Sequence, residues 1–303
     1  MRLALPMTGA RSGVAAEPLL IAAFCLLWSS AFAVSKIALA DCPPFLLLTI
    51  RFLVAGAIAL IGAAAFQTNW RLAWRDALLL AAIGIFNNAL YLGFNYSGMH
   101  TVSAGLTALI ASTNPVLTSL LAACFLGERM TFRKIIGLAL GIAGVAFIVE
   151  SRVANDTASM PGIGLIVLGL MSLVSGTILF KRFAPSANLA VGNGVQTLAG
   201  GLALAPFALA FESVSEIVPT WRLFAALAYL ILCASVVGYL LWFRLLTVFG
   251  ATAASAYHFL MPPLGMLFGW FLLGEHVDAR DLIGVLPVAV GIYLVTRPAH
   301  KRR

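Results

Sequence analysis

The stretch "STNPVLTSLLAACFLGER", Ser112 to Arg129, sets an Asn-Pro pair inside an apolar run and ends on Gly-Glu-Arg. A second stretch, "FLMPPLGMLFGWFLLGEH", Phe259 to His276, matches it without a gap 147 positions further on. Pro115 falls on Pro262, Gly127 on Gly274 and Glu128 on Glu275. A proline inside a helix removes an i→i−4 hydrogen bond and breaks or kinks it. Two such breaks at the same register predict one structural element built twice. The match continues through Ala104 and Ala251, Arg133 and Arg280, Gly137 and Gly284, and Gly144 and Gly291. It is looser at the start of each half, where Ser29 lies near Ser175 and Lys36 near Arg182.

Composition states the solvent in which that element is built. Of 303 residues 62% are hydrophobic and only 10% charged, with a mean hydropathy of +1.02, far from the balance of a water-soluble domain. A helix crossing about 30 Å of hydrocarbon needs about 20 apolar residues. The chain offers ten such runs, near 18–38, 43–66, 76–96, 102–125, 132–149, 161–180, 188–210, 221–243, 252–272 and 279–296. Ala38-Leu39-Ala40 imitates a signal cleavage site, but the run before it is longer than a signal core and Lys36 lies just upstream of the cut. The first run is therefore expected to stay as a span. Cys25, Cys42, Cys124 and Cys233 show no close pairing and read as small packed residues.

The net charge of +8 is a topology signal and does not point to nucleic acid. With the N-terminus inside, fourteen of the nineteen basic residues fall in cytoplasmic segments, among them Arg71, Arg75, Arg133, Lys134, Lys181, Arg182, Arg244 and the tail Lys301-Arg302-Arg303. Both termini are expected in the cytoplasm of a bacterial-type inner membrane. Five spans per half is an odd number, so the second half must enter from the opposite side. The two Gly-Glu loops carry charge to match: "GERMTFRK" is basic, while "GEHVDARD" is mostly acidic. The expected fold is thus an all-α polytopic membrane protein of ten transmembrane helices. They form two inverted five-helix repeats, 1–150 (with a short tail 1–17) and 151–303. Inverted repeats with broken helices at the midplane characterise secondary transporters that alternate access around a central site.

The paired stretches above, the opening "WSSAFAVSK" at 28–36, and Arg51 shortly after Pro43-Pro44 resemble the EamA family of the drug/metabolite transporter superfamily. The resemblance covers nearly the whole chain and implies ten spans in two five-span copies. The aromatic and amide content of the inner spans looks more like the YddG-type amino-acid exporters of that family than like sugar-phosphate carriers.

Polar and aromatic residues inside the spans mark where cargo would sit. Free carbonyls near Ser112, Asn114 and Pro115, and near His258, Pro262 and Pro263, need a cavity or protein partners at membrane depth. Asn87, Tyr91 and Asn95 fall at i, i+4 and i+8, a single polar stripe on an apolar helix. Facing lipid it would be costly; facing a cavity it binds substrate or water. The counterpart span carries Ser235, Tyr239 and Trp242, the first span Trp28, Ser29 and Phe32, and the sixth Ser175. Core packing is the competing explanation for each aromatic. Two cations, Lys36 near a span end and Arg51 about eight residues into its span, are candidates for a gate or a substrate carboxylate; snorkelling and helix-end contacts compete with those roles. Glu128 and Glu275 are expected to cap the helices that follow them. The Gly137-x-x-x-Gly141 pair is expected to admit a neighbouring helix of the same chain.

No Walker-type lysine motif, metal-ligand spacing or nucleophile elbow occurs, so no enzyme activity and no cofactor or metal is expected. Partners are expected to be the lipid bilayer and a small-molecule substrate, amino acids or related metabolites, with no nucleic acid and the chain monomeric. The expected activity is export of small metabolites, above all aromatic or hydrophobic amino acids. All eleven acidic residues fall at span ends or in loops, which predicts transport without proton coupling. A broad drug and metabolite exporter and a membrane scaffold without transport are the rival readings.

Overall fold

The computed structural model describes residues 16–66, 72–127, 130–154, 158–183, 185, 187–250, 254–255 and 257–296. Glu128 and the basic tail lie outside the described residues. The described elements are helical: α1 (Ala16–Leu39), α2 (Pro44–Ala65), α3 (Trp74–Gly98), α4 (Ala104–Leu126), α5 (Phe132–Ala154), α6 (Met160–Phe183), α7 (Leu189–Phe211), α8 (Trp221–Phe249), α9 (Met261–Leu273) and α10 (Ala279–Thr296). A helix stands at each predicted span. Among the described residues seven of them, α1 to α4 and α6 to α8, are long and apolar enough for a full membrane crossing.

Three irregularities matter for the interior. α4 is two helices, Ala104–Ala111 and Asn114–Leu126, separated at Ser112-Thr113. Asn114-Pro115 opens the second piece and Met261-Pro262-Pro263 opens α9. In the first turn the missing proline N–H has no helical partner to lose, so these prolines start helices instead of kinking continuous ones. The carbonyls at the end of the first piece are taken by i→i+3 backbone bonds, Ser112 N to Leu109 O and Thr113 N to Ile110 O, both at 3.0 Å, and by side chains: Ser112 Oγ donates to Leu109 O at 2.5 Å and Thr113 Oγ1 to Ile110 O at 2.8 Å. The third irregularity is a π-helical segment inside α3 (Ile85–Leu90) and another inside α8 (Leu230–Gly238). α4 and α9 both end on a left-handed glycine, Gly127 at φ 68° and Gly274 at φ 66°, a conformation that a side chain would strain.

The principal packing pairs are α2 with α7, α5 with α10, α3 with α6 and with α7, α1 with α9 and α8, α4 with α6 and α9, and α2 with α8. Small residues permit these approaches. A side chain at Gly291 would collide with Gly137 O and Gly141 N, so the neighbour admitted by that glycine pair is α10 of the same chain. Gly169 and Gly176 of α6 likewise make room for Asn95 and Asn87 of α3.

Glutamates fasten the helix ends. Glu212, after α7, accepts from Phe45 N (2.8 Å) and Leu46 N (2.6 Å) at the start of α2. Glu275 accepts from Ala104 N (2.8 Å) and Gly105 N (3.0 Å) at the start of α4. Each carboxylate satisfies two orphan amides and sits at the positive end of a helix dipole. Glu275 thus caps α4 and not the helix that follows it, because the turn at Gly274 folds the carboxylate back over the neighbouring helix.

Candidate substrate cavity

Phe24, Trp28, Ala31 and Ser35 stand at i, i+4, i+7 and i+11 of α1 and share one face. That face borders a cavity enclosed by four helices. Trp28, Ala31, Phe32 and Ser35 come from α1, Arg51 from α2, Tyr91, Leu92, Asn95, Tyr96 and Met99 from α3, and Ala234, Gly238 and Tyr239 from α8. Only about 30 Å³ is open to the centre of a water molecule, room for about two waters. The space between the walls is narrow, and an amino acid fits only if helices or side chains move.

Two tyrosines line this cavity for a local reason. Tyr91 follows the π segment of α3 and Tyr239 follows that of α8. An i→i+5 turn shifts the helical phase and is common at functional sites. It also splits the stripe expected on α3. Tyr91 and Asn95 line the cavity, whereas Asn87, inside the π segment, is buried against Gly176 and its carbonyl receives the Tyr239 hydroxyl at 3.1 Å.

Arg51 is the only charged side chain among the described cavity residues and is 3% exposed. Its Nε donates to Ser235 Oγ at 2.8 Å and its Nη1 to the Tyr96 hydroxyl at 2.6 Å. Tyr96 is in turn hydrogen-bonded to Ser35 Oγ. These partners carry no charge. Ser235, named with Tyr239 and Trp242 in the sequence, holds Arg51 in place, while Tyr96 and Ser35 had only weak signals there: a hydroxyl one position from Asn95 and another just before Lys36.

Toward the N-terminal end of α1 the cavity closes on an aromatic cluster. His258 packs edge-on against Trp242 (ring centroids 4.8 Å), Phe24 (5.5 Å) and Trp28 (5.7 Å), and Phe24 stacks on Trp242 at 5.6 Å. Tyr239 meets Trp28 edge-on at 5.4 Å. His258, Trp242 and Phe24 are fully buried. α8 runs on to Phe249, so Trp242 lies well inside the helix.

The other candidates stand apart from the cavity. Ser29 is buried beside Trp28 with its hydroxyl unpartnered. Ser112 and Asn114 are buried at the α4 break, where Asn114 Oδ1 accepts from Thr118 Oγ1 at 2.7 Å. Ser175 is half-buried and bonds Met171 O of its own helix at 2.9 Å. Pro115 is buried and Pro263 exposed. Lys36 lies at the mouth of the bundle and donates to Val102 O at 2.7 Å, within the field of the Glu275 carboxylate. In the second half of the chain Lys181 donates to Leu246 O at 2.9 Å near the end of α8, and Arg182 Nη1 to Phe125 O at 2.7 Å near the end of α4. Among the described residues no group of His, Cys, Asp and Glu could hold a metal ion.

Comparison with known proteins places this architecture. An uncharacterised transporter of Archaeoglobus fulgidus is 27% identical over 89% of this chain and 95% of its own. A protein of Escherichia coli K12 named a probable amino-acid metabolite efflux pump is 24% identical over 89% of this chain and 91% of its own. A crystal structure at 21% identity superposes with a TM-score of 0.67 over 94% of this chain and 97% of that one, which shows a shared fold. The EamA-like transporter family matches residues 16–150 and again residues 160–297, and the chain belongs to that family.

Proposed function

We propose that this EamA-family transporter exports small metabolites, with aromatic and hydrophobic amino acids as its main cargo, by alternating access around the Arg51 cavity. The observation that carries the reading is the cavity itself. Rings of Trp28, Phe32, Tyr91, Tyr96 and Tyr239 surround one buried cation and one amide, the composition of a site for a small molecule with an apolar body and a polar head. The name of the E. coli relative agrees with export of such cargo.

Ten spans in two inverted five-helix repeats suit the packing. Replacing every helix by the one five places along maps α1–α9 onto α6–α4, α3–α7 onto α8–α2 and α3–α6 onto α8–α1, and leaves α2–α7 and α5–α10 unchanged. Packing that survives this exchange supports a pseudo-two-fold relation between the halves. The cluster of Phe24, Trp28, Trp242 and His258 is then the closed gate on the side of the N-terminus, which the charge bias puts in the cytoplasm. No carboxylate among the described residues is placed at mid-span to carry a proton, which leaves His258 as the one titratable candidate. The one buried carboxylate among the described residues, Asp281, sits in the first turn of α10 and is engaged by Asp278 N.

The test is flux by purified protein in liposomes across a panel of amino acids, sugars and cationic dyes. Saturable flux of phenylalanine or tryptophan is expected, falling at least about tenfold in Tyr91→Leu while the protein stays folded, since about 1.4 kcal/mol of lost contact already gives that factor. Dye flux without amino-acid flux would replace this reading with a broad drug exporter. Absence of any flux would leave a scaffold.

A further inference from the structure

The cavity is charged at one end and neutral elsewhere, and this asymmetry bears on what part of the cargo is recognised. We infer, on the transport reading above, that the recognised group is a carboxylate held by Arg51, that the α-ammonium is not recognised, and that aromatic carboxylates lacking an amine are carried as anions.

A guanidinium buried away from water with uncharged partners keeps most of its desolvation cost uncompensated. Ser235 and Tyr96 engage Nε and Nη1, which leaves part of the donor fork for a ligand. A carboxylate is the small planar anion that this fork fits, and a charge-assisted bond is roughly twice as strong as a neutral one. Nothing equivalent awaits an ammonium. No Asp or Glu is among the described lining residues. The strongest neutral acceptor there is Asn95 Oδ1, which has no partner while its Nδ2 is committed to Tyr91 O at 2.8 Å. Ring faces of Trp28, Tyr91 and Tyr239 add a cation–π attraction, but Arg51 already sets a like charge in the same small space. An amine therefore has to be stripped of water for one neutral acceptor and a ring face, a poor exchange for a buried charge. Removing it from the ligand costs the complex little.

The consequence is electrical. A zwitterionic amino acid crosses with no net charge, whereas its amine-free analogue crosses as a monoanion. An inside-negative membrane potential drives that anion outward, so the potential gives export a direction that needs no proton carrier in the protein.

The experiment uses the wild-type protein in proteoliposomes adsorbed on a solid-supported membrane. Three ligands are applied at equal concentration: phenylalanine, 3-phenylpropanoate and 2-phenylethylamine. Passive leak of the neutral acid or amine carries no charge and so gives no current. The expected result is a saturable current of negative charge with 3-phenylpropanoate, radiolabelled phenylalanine flux without current, and competition for that flux by 3-phenylpropanoate but not by 2-phenylethylamine. Arg51→Gln should lower the current at least tenfold and Arg51→Lys should retain part of it; if either variant misfolds, the wild-type panel alone decides. Phenylalanine flux that 3-phenylpropanoate neither joins nor inhibits overturns the inference and spares the transport reading. A saturable current or competition from 2-phenylethylamine overturns it as well. Silence toward all three ligands removes the transport reading and the inference with it.

Discussion

The two ends of one face of α1 look into opposite environments. At Ser35 polar side chains are linked in a chain: Ser35 to Tyr96, Tyr96 to Arg51, and Arg51 to Ser235. At Phe24, about 16 Å lower by helical rise, polar groups are equally buried but lack partners among the described residues. The Trp242 Nε1 and the hydroxyls of Ser29 and Ser255 are in this condition, while the buried His258 ring has only the Ser255 backbone to engage it. Buried polar atoms are nearly always hydrogen-bonded, so a cluster without partners calls for a reason. A gate supplies one: these groups are dry while the gate is shut and hydrated when it opens. The lesson is that the Arg51 end ties its side chains into one hydrogen-bonded chain around a site for cargo, and the Phe24 end, without such a chain, is built to let go.

That contrast breaks most visibly at Tyr96. Tyr96→Phe deletes an acceptor from a buried guanidinium, and a lost bond to a charged group is worth about 2–3 kcal/mol. The variant should unfold correspondingly earlier in a detergent melt. No change in stability would mean that Arg51 does not depend on the chain seen here. A smaller effect of opposite sign is expected at the other end. His258→Phe keeps a ring among Phe24, Trp28 and Trp242 while removing two deeply buried ring nitrogens. It should stabilise the closed protein by about 1–2 kcal/mol, the desolvation penalty relieved, and slow or stop transport because an apolar gate hydrates poorly. A destabilised variant with normal flux would show that His258 is an ordinary satisfied core residue and not part of a gate.

The membrane class, the helix at each apolar run and the twinned breaks were legible in the sequence because they rest on hydropathy and proline, which act locally. Trp28, Phe32, Arg51, Tyr91, Asn95 and Tyr239 were read as pathway residues, and the structure gathers them around one cavity. What escaped was phase and fastening. The π segments at Ile85–Leu90 and Leu230–Gly238 have no residue signature of their own, so ideal 3.6-residue spacing carried Asn87 to the wrong face. Ser112 was expected beside cargo, yet its hydroxyl and its own amide both turn to the Leu109 carbonyl, a local side-chain-to-backbone bond that spacing alone does not decide. The seat of Glu275 on α4, 170 and 171 residues from its partners, depends on tertiary packing and could not be read from the loop that carries it.

The most direct test follows α1 itself. In a background without Cys25, Cys42, Cys124 and Cys233, single cysteines replace Phe24 and Ser35, and reaction with a membrane-impermeant thiol reagent is timed from each side with and without saturating phenylalanine. Alternating access around the cavity requires the two rates to move in opposite directions, each cysteine reacting from its own side of the membrane. Rates that rise and fall together, or that ignore the ligand, would contradict it.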